Sequence, residues 1–211
     1  MNNQRPTFAE EKILWEHGFR LVAGLDEVGR GALAGPVAAG AVILPPGLSS
    51  DWLGDVRDSK QLTPLAREYL SGKIREVALG VGVGYVSHRM IDAGGIVRAT
   101  RLAMQRAVAH LAVPPESLLI DYLLLPEVPI PQRGIVKGDD RCFSIACASI
   151  VAKVARDHLM KKMDTVYPGY NLSGNKGYGT GEHIACLSRL GPCPIHRRSF
   201  QPVKGMVCRK T

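Results

Sequence analysis

Three short apolar runs in this chain each lead directly into carboxylates, and that pattern constrains the fold more than any other feature. Phe19–Leu25 runs into Asp26-Glu27 and then Gly29-Arg30-Gly31. Leu118-Leu119-Ile120 ends at Asp121, and Val136-Lys137-Gly138 is followed by Asp139-Asp140. One acid in such a place is an ordinary cap or turn residue. Three sets at the ends of strand-like runs point instead to the crevice where strand ends of an α/β sheet converge and ligands bind. Carboxylates gathered there repel one another unless cations neutralise them, and hard oxygen donors suit Mg²⁺ or Mn²⁺. Neighbouring residues of a regular strand face opposite sides, so Asp26 and Glu27 share a site only if the strand ends or distorts there. The glycines just beyond permit that.

The remaining segments agree with a mixed α/β sheet. Pro36–Leu44 and Gly80–Ser87 read as further strands, Gly134–Lys137 as a short one, and Leu118–Leu125 as a buried one. Thr63-Pro64 is a hydroxyl cap followed by proline, and Leu65, Tyr69, Leu70, Ile74 and Val77 continue it at helical spacing. Ile96–Leu111 and the long, alanine-rich Ser144–Met163 predict two more helices, with a shorter one near Glu182–Leu190. Residues 47–62 read as a polar loop, 174–181 as a Gly-rich loop, and the end as an irregular basic tail. The organisation expected is a short helical extension over 1–17, a catalytic sheet domain over 18–165, and a smaller, mostly helical substrate-contact region over 166–211.

Composition narrows the partner. Lys plus Arg number 27 against 19 Asp plus Glu, a net charge of +8. That favours a polyanion, although charge alone does not separate nucleic acid from an acidic membrane. Aromatic residues are only 6%, too few for binding built on rows of stacked rings. The five cysteines include no C-x-x-C pair, and Cys147 sits in a helical apolar pattern as a core residue. The charged N-terminus lacks the apolar centre of a secretory signal, and no stretch is long enough to span a bilayer. A soluble protein of a reducing, cytoplasmic compartment is expected, with a monomer as the default state.

Gly24-Leu25-Asp26-Glu27-Val28-Gly29-Arg30-Gly31, continuing through Ala34-Gly35-Pro36-Val37, resembles the signature of bacterial ribonuclease HII. Asp58-Ser59-Lys60, Ile120-Asp121, Lys137-Gly138-Asp139, the segment Ala148–Asp157, Lys176–Thr180 and His196–Phe200 follow in the family's order. The resemblance covers roughly residues 19–204. It implies a ribonuclease H-like fold: a mixed β-sheet flanked by helices, with a small C-terminal helical region. It also implies an endonuclease that hydrolyses RNA in RNA–DNA hybrids and cuts 5′ of single ribonucleotides in duplex DNA, leaving 5′-phosphates and serving ribonucleotide removal. Asp26, Glu27, Asp121 and Asp139 match the catalytic carboxylates of a two-metal site holding Mn²⁺ or Mg²⁺. Gly29-Arg30-Gly31 matches the ribose-reading turn, and Tyr178 a ring that packs on the following deoxyribose. Lys60, Lys176, Arg197 and Arg198 fit a phosphate track. Tyr122, Asn175 and Ala32 stand where the family usually has Gly, His and Pro.

The chemistry suits the residues independently. No Ser/His/Asp triad, Cys/His pair or P-loop pattern is present, so phosphodiester hydrolysis by cation-activated water is the economical reading. His196 alone reads as a hydrogen-bonded surface residue. Two alternatives stand beside this reading: the sister enzyme ribonuclease HIII, and a non-catalytic nucleic-acid-binding module. Arg30 and the short stretch before the first strand disfavour the former. The presence of all four carboxylates disfavours the latter. Neither the preferred cation nor docking on a sliding clamp is legible in these residues.

Overall fold

The computed structural model describes residues 5–57 and 59–207, so Asp58 and Cys208 lie outside the described residues. Five strands form one sheet: β1 (Val22–Val28), β2 (Val37–Ile43), β3 (Gly80–Val86), β4 (Ser117–Asp121) and β5 (Gln132–Ile135), in the order β3-β2-β1-β4-β5. β1, β2 and β3 are an antiparallel meander, whereas β4 and β5 run parallel to β1. Eight helices accompany them among the described residues: α1 (Ala9–Glu16), α2 (Pro64–Val77), α3 (His88–Gly94), α4 (Ile96–Ala109), α5 (Phe143–Val166), α6 (Leu172–Asn175), α7 (Gly181–Leu190) and α8 (Val203–Val207).

Strand alternation divides the core between two helices. Ala23, Leu25, Ala39 and Ala41 point one way and pack with Ala103, Met104 and Ala107 of α4. On the other face Val42 joins Ala146, Cys147, Ile150 and Val151 of α5. Gly24 and Gly40 face α5 so closely that a Cβ would stand 2.1 Å from Ser144 C and 2.3 Å from Ala148 O. Only glycine permits that approach. It lays the helix backbone on the sheet and sets Ser149 against Asp26.

Helix α1 and the segments after α5 are built into this frame. Glu11 of α1 is buried, and its carboxylate accepts from the Ser144 amide at 2.8 Å and the Cys142 thiol at 3.1 Å. It thereby serves as the missing cap of α5, whose own N-cap residue Cys142 makes no side-chain capping bond. Leu33 and Ala34 pack with Tyr170, Leu172, Leu187 and Ile195, which ties the C-terminal helices to the turn after β1.

Several expected elements need correction. β4 stops at Asp121 rather than Leu125, because Tyr122 turns into left-handed backbone (φ 62°). Gln132 then bonds the Leu125 amide and carbonyl, holding a loop where strand was expected. The 47–62 stretch contains two 3₁₀ turns, Asp51–Asp55 and Ser59–Gln61, with Trp52 and Val56 buried. The basic tail holds the short α8, and α3 forms where no helix was read.

Candidate active site

The parallel half of the sheet collects the carboxylates. β1, β4 and β5 all point their C-terminal ends the same way, so Asp26-Glu27, Asp121 and the Gly138–Asp140 turn emerge at one sheet edge. The β1–β4 ladder ends at Leu25↔Ile120, which leaves Asp26 and Glu27 without a strand neighbour on that side. That open edge resolves the alternation problem. Asp26 lies on the α5 face and accepts the Glu27 amide at 2.7 Å, while the longer Glu27 side chain reaches the same space. Carboxylate oxygens of Asp26, Glu27 and Asp121 all lie within 4.8 Å of one another.

Asp121 Oδ1 accepts the Gly138 amide at 2.8 Å, which fixes the carboxylate against the turn that carries Asp139. A Cβ at Gly138 would meet Ile145 Cδ1 at 2.5 Å, so the turn needs glycine there. All four acids line one cavity of about 560 Å³, shared with Gly29, Arg30, Gly31, Lys60 and Tyr178. Asp139 lines it and Asp140 does not. Lys60 Nζ stands 3.9 Å from Asp139 Oδ2 on a side chain that is 78% exposed.

Burial, then the Glu27 charge, with smaller contributions from Asp121 and Asp139, pushes the Asp26 carboxyl well above its ordinary 3.8. Burial also raises Glu27, against the opposing pull of Arg30, whose guanidinium is 3.4 Å away. Such a set fits a divalent cation: oxygen donors, mutual repulsion, and an open side. Because the folded protein holds the Asp26 proton more tightly than the unfolded chain, that stabilisation is complete below the ordinary carboxylate range. It is lost as pH rises through the raised value. In cation-free buffer at neutral pH, Asp26→Asn is therefore expected to raise Tm by roughly 2–4 °C, equivalent to about 1 kcal/mol in a chain of this size. A differential scanning experiment in EDTA checks this, and an unchanged or lower Tm would sink it.

Two buried arginines hold the Gly29-Arg30-Gly31 turn from beneath. Arg197 donates to the carbonyls of Gly29 and Arg30, both at 2.7 Å, and of Gly35 at 3.1 Å. Arg156 donates to Pro36 and Lys176 carbonyls at 2.9 Å and to Ala34 at 3.3 Å. Gly29 has φ 86°, and a Cβ there would strike Arg156 Nε at 2.2 Å. Arg197 is therefore not a surface phosphate contact; it is fully buried. Lys176 is the second correction. Its ammonium bonds the Ser173 carbonyl and borders a separate cavity with Arg67 and Asp157.

Tyr178 reaches the cleft half-buried, its ring 5.5 Å from the Arg156 guanidinium carbon. Its loop is held by a chain of imidazoles. His196 Nδ1 accepts the Cys193 amide at 3.0 Å, and the two Nε2 atoms of His196 and His183 meet at 3.0 Å. His183 Nδ1 then donates to the Tyr178 carbonyl at 2.9 Å. One tautomer set satisfies these three links with both rings neutral, and it leaves the Cys193 carbonyl, 3.3 Å from His196 Nδ1, without a proton from that ring. Burial lowers both histidines, His196 to about 4. His196 is thus buried rather than superficial. Asn175 bonds the Tyr170 carbonyl and the Gly177 amide, stapling the same loop with an amide side chain.

Sequence reading passed over Ser59, Arg67, Ser149 and Lys153, which also line the cleft. Ser59 Oγ and Ser149 Oγ are 3.0 Å apart, and Arg67 bonds the Ser59 and Leu62 carbonyls, fixing the loop that carries Lys60. The available signal was Ser149, Lys153 and Asp157 at i, i+4 spacing along one side of the long Ala-rich helix.

Tyr122, the departure beside Asp121, is 67% exposed and left-handed. Left-handed backbone costs a side-chain residue about 1–2 kcal/mol, partly offset by glycine's freer unfolded chain. Tyr122→Gly is expected to stabilise by about 0.5–1 kcal/mol in denaturant titration. Destabilisation would mean that the exposed ring makes a contact worth more than the strain.

A mixed five-stranded sheet with carboxylates gathered at the C-terminal ends of its parallel strands defines the ribonuclease H-like class of nuclease. Comparison with known proteins narrows this: the ribonuclease HII family model matches residues 23–203. The chain belongs to the ribonuclease HII family. It is 59% identical over 201 residues to a ribonuclease HII of Dehalococcoides mccartyi, covering 95% of both chains. Among solved structures, ribonuclease H2 from Pyrococcus horikoshii superposes with TM-score 0.74 at 26% identity, covering 89% of this chain and 97% of that one. Bst-RNase HIII in complex with Mn²⁺ shares the fold, with TM-score 0.65 at 17% identity over 90% of this chain and 70% of that one. The chain is accordingly a type HII ribonuclease H, a hydrolase acting endonucleolytically on RNA–DNA substrates. Among the described residues no helix is long and apolar enough to cross a membrane.

Proposed function

We propose that this enzyme uses Mn²⁺ or Mg²⁺ to cut 5′ of single ribonucleotides embedded in duplex DNA, as well as within RNA–DNA hybrids, leaving 5′-phosphates. One observation carries the reading: the carboxylate cluster, the Gly29-Arg30-Gly31 turn and Tyr178 open into a single cavity. Asp26, Glu27, Asp121 and Asp139 would hold the cations. When bound, these supply an activated water and neutralise charge at the leaving oxygen. The backbone of the 29–31 turn, braced by Arg156 and Arg197, offers polar groups to a ribose 2′-hydroxyl, the atom that separates RNA from DNA. Tyr178 presents a flat ring to the next sugar, where an added hydroxyl packs less well. Lys60, close to Asp139, is suited to a phosphate.

The role that follows is removal of ribonucleotides from DNA, by a cytoplasmic monomer. The test is cleavage of a duplex with one ribonucleotide, with added Mn²⁺, Mg²⁺ or EDTA and the product ends mapped. Incision 5′ of the ribonucleotide that stops in EDTA is expected. Cleavage confined to long RNA runs, or indifferent to EDTA, would overturn the reading. Tyr178→Ala should lose more kcat/KM on that duplex than on an all-RNA hybrid strand, and Tyr178→Phe should lose little on either. Equal losses would return Tyr178 to a structural role.

A further inference from the structure

The sheet register carries the chemistry beyond the cleft. Val28 pairs with Ala38, and Ala38 with Tyr85, so the C-terminal end of β3 lies at the same sheet edge as the carboxylates, two strands across. At 4.7–4.9 Å per strand that offset is about 10 Å. Just past β3, α3 begins with His88-Arg89, and it faces the 194–198 segment across a cavity of about 530 Å³. His88, Arg89, His196 and Arg198 line it with a single acid, Asp92.

Asp92 is already engaged. Its oxygens accept the Arg198 amide at 3.0 Å, the Ser199 amide at 2.9 Å and the Ser199 hydroxyl at 2.6 Å. Among the described residues, neither the Arg89 nor the Arg198 guanidinium stands in an ion pair with a carboxylate. Burial, followed by the charge of Arg89, lowers His88; Asp92 opposes this, and Arg197 and Arg198 add smaller downward contributions, so the basic side chains of the hollow outnumber its one acid. Like charges held together around a concavity, with their one acid occupied elsewhere, make an anion site.

We infer that this cavity is a second phosphate subsite, taking a backbone phosphate of the same duplex whose scissile bond lies at the carboxylates. The 196–199 strip joins the two places: Arg197 supports the 29–31 turn from below, while its neighbour Arg198 faces the cavity. A duplex carries about one phosphate per 1.7 Å of axis, so one lying along this sheet edge supplies a phosphate at both points. The inference rests on an RNA–DNA duplex being the substrate.

The experiment compares wild type with the double variant Arg89→Ala/Arg198→Ala, both exposed positions. Binding is read by anisotropy in EDTA across a salt series, on a long duplex with one ribonucleotide and on duplexes shortened from either end. The expected result is about a tenfold weaker Kd on the long duplex, with a log–log salt slope shallower by one to two units. With Mn²⁺, the loss in cleavage should fall mainly on KM, as expected of a contact remote from the reacting bond. Shortening one particular end should abolish the difference. An unchanged Kd and slope, or equal losses at every length, would overturn the subsite. Inorganic phosphate shifting the amide signals of 88–92 and 198–199, with no change in duplex affinity on mutation, would reassign the cavity to a free anion and overturn it too. A wild type that does not cut would instead defeat the functional reading.

Discussion

Asp121→Asn should reduce cleavage by about 10²–10³-fold or more, while substrate binding in EDTA stays within a few-fold of wild type. The variant is chosen because its side chain keeps one oxygen. Asp121 Oδ1 accepts the Gly138 amide, and an asparagine oxygen can do the same, so the turn carrying Asp139 is retained. What is lost is one negative charge among three carboxylates whose oxygens lie within 4.8 Å. On the proposed reading a cation would be held through that charge set, so the rise in Tm on adding Mn²⁺ should shrink along with the rate. Circular dichroism, Mn²⁺ thermal shift and single-turnover cleavage together check this. A folded variant with near-normal turnover would mean that Asp121 is not a cation ligand.

The second large effect is expected from Arg197→Met. The side chain is fully buried and serves three backbone carbonyls, of Gly29, Arg30 and Gly35. Methionine fills much of the volume but leaves the Arg30 and Gly35 carbonyls without their donor, and the Gly29 carbonyl with only the longer bond from the Ala32 amide at 3.4 Å. Each orphaned buried acceptor costs about 1–3 kcal/mol, so a loss of about 3–5 kcal/mol is expected. In a chain of this size that lowers Tm by about 10 °C. Below the transition, kcat/KM on a single-ribonucleotide duplex should fall further than on plain hybrid, because the turn facing the sugar loses its brace. Arg198→Met, at the next and exposed position, should leave Tm within about 1–2 °C. If the two variants melt alike, the buried network contributes nothing to the turn.

These two residues divide the problem. Asp121 was legible because its signal is local: an apolar run, a carboxylate at its end, and two more such runs elsewhere. The same holds for the Thr63-Pro64 helix start, where the Thr63 hydroxyl accepts the Ala66 amide, and for the long Ala-rich helix that became α5. Arg197 was misread because nothing within several residues distinguishes a buried arginine from one on a basic surface. Its acceptors lie 162 to 168 positions away along the chain. His196 misled for the same reason; its partner His183 is at a spacing that matches no regular element.

Sequence alone determined which residues could carry chemistry, because charge, hydroxyls and the two- and three-residue periods are properties of near neighbours. It also determined that strands, mostly in the first half, and helices, dominant towards the end, would build one mixed sheet domain. Only the tertiary structure decided that Asp26 and Glu27 share one space, because the open edge beyond Leu25↔Ile120 depends on where β4 stops. It likewise decided that Asp139, not Asp140, lines the cleft, and that Glu11 caps a helix 133 positions away. Those outcomes follow from register, burial and close packing between distant segments, and no local pattern encodes which buried carbonyl a buried side chain will meet.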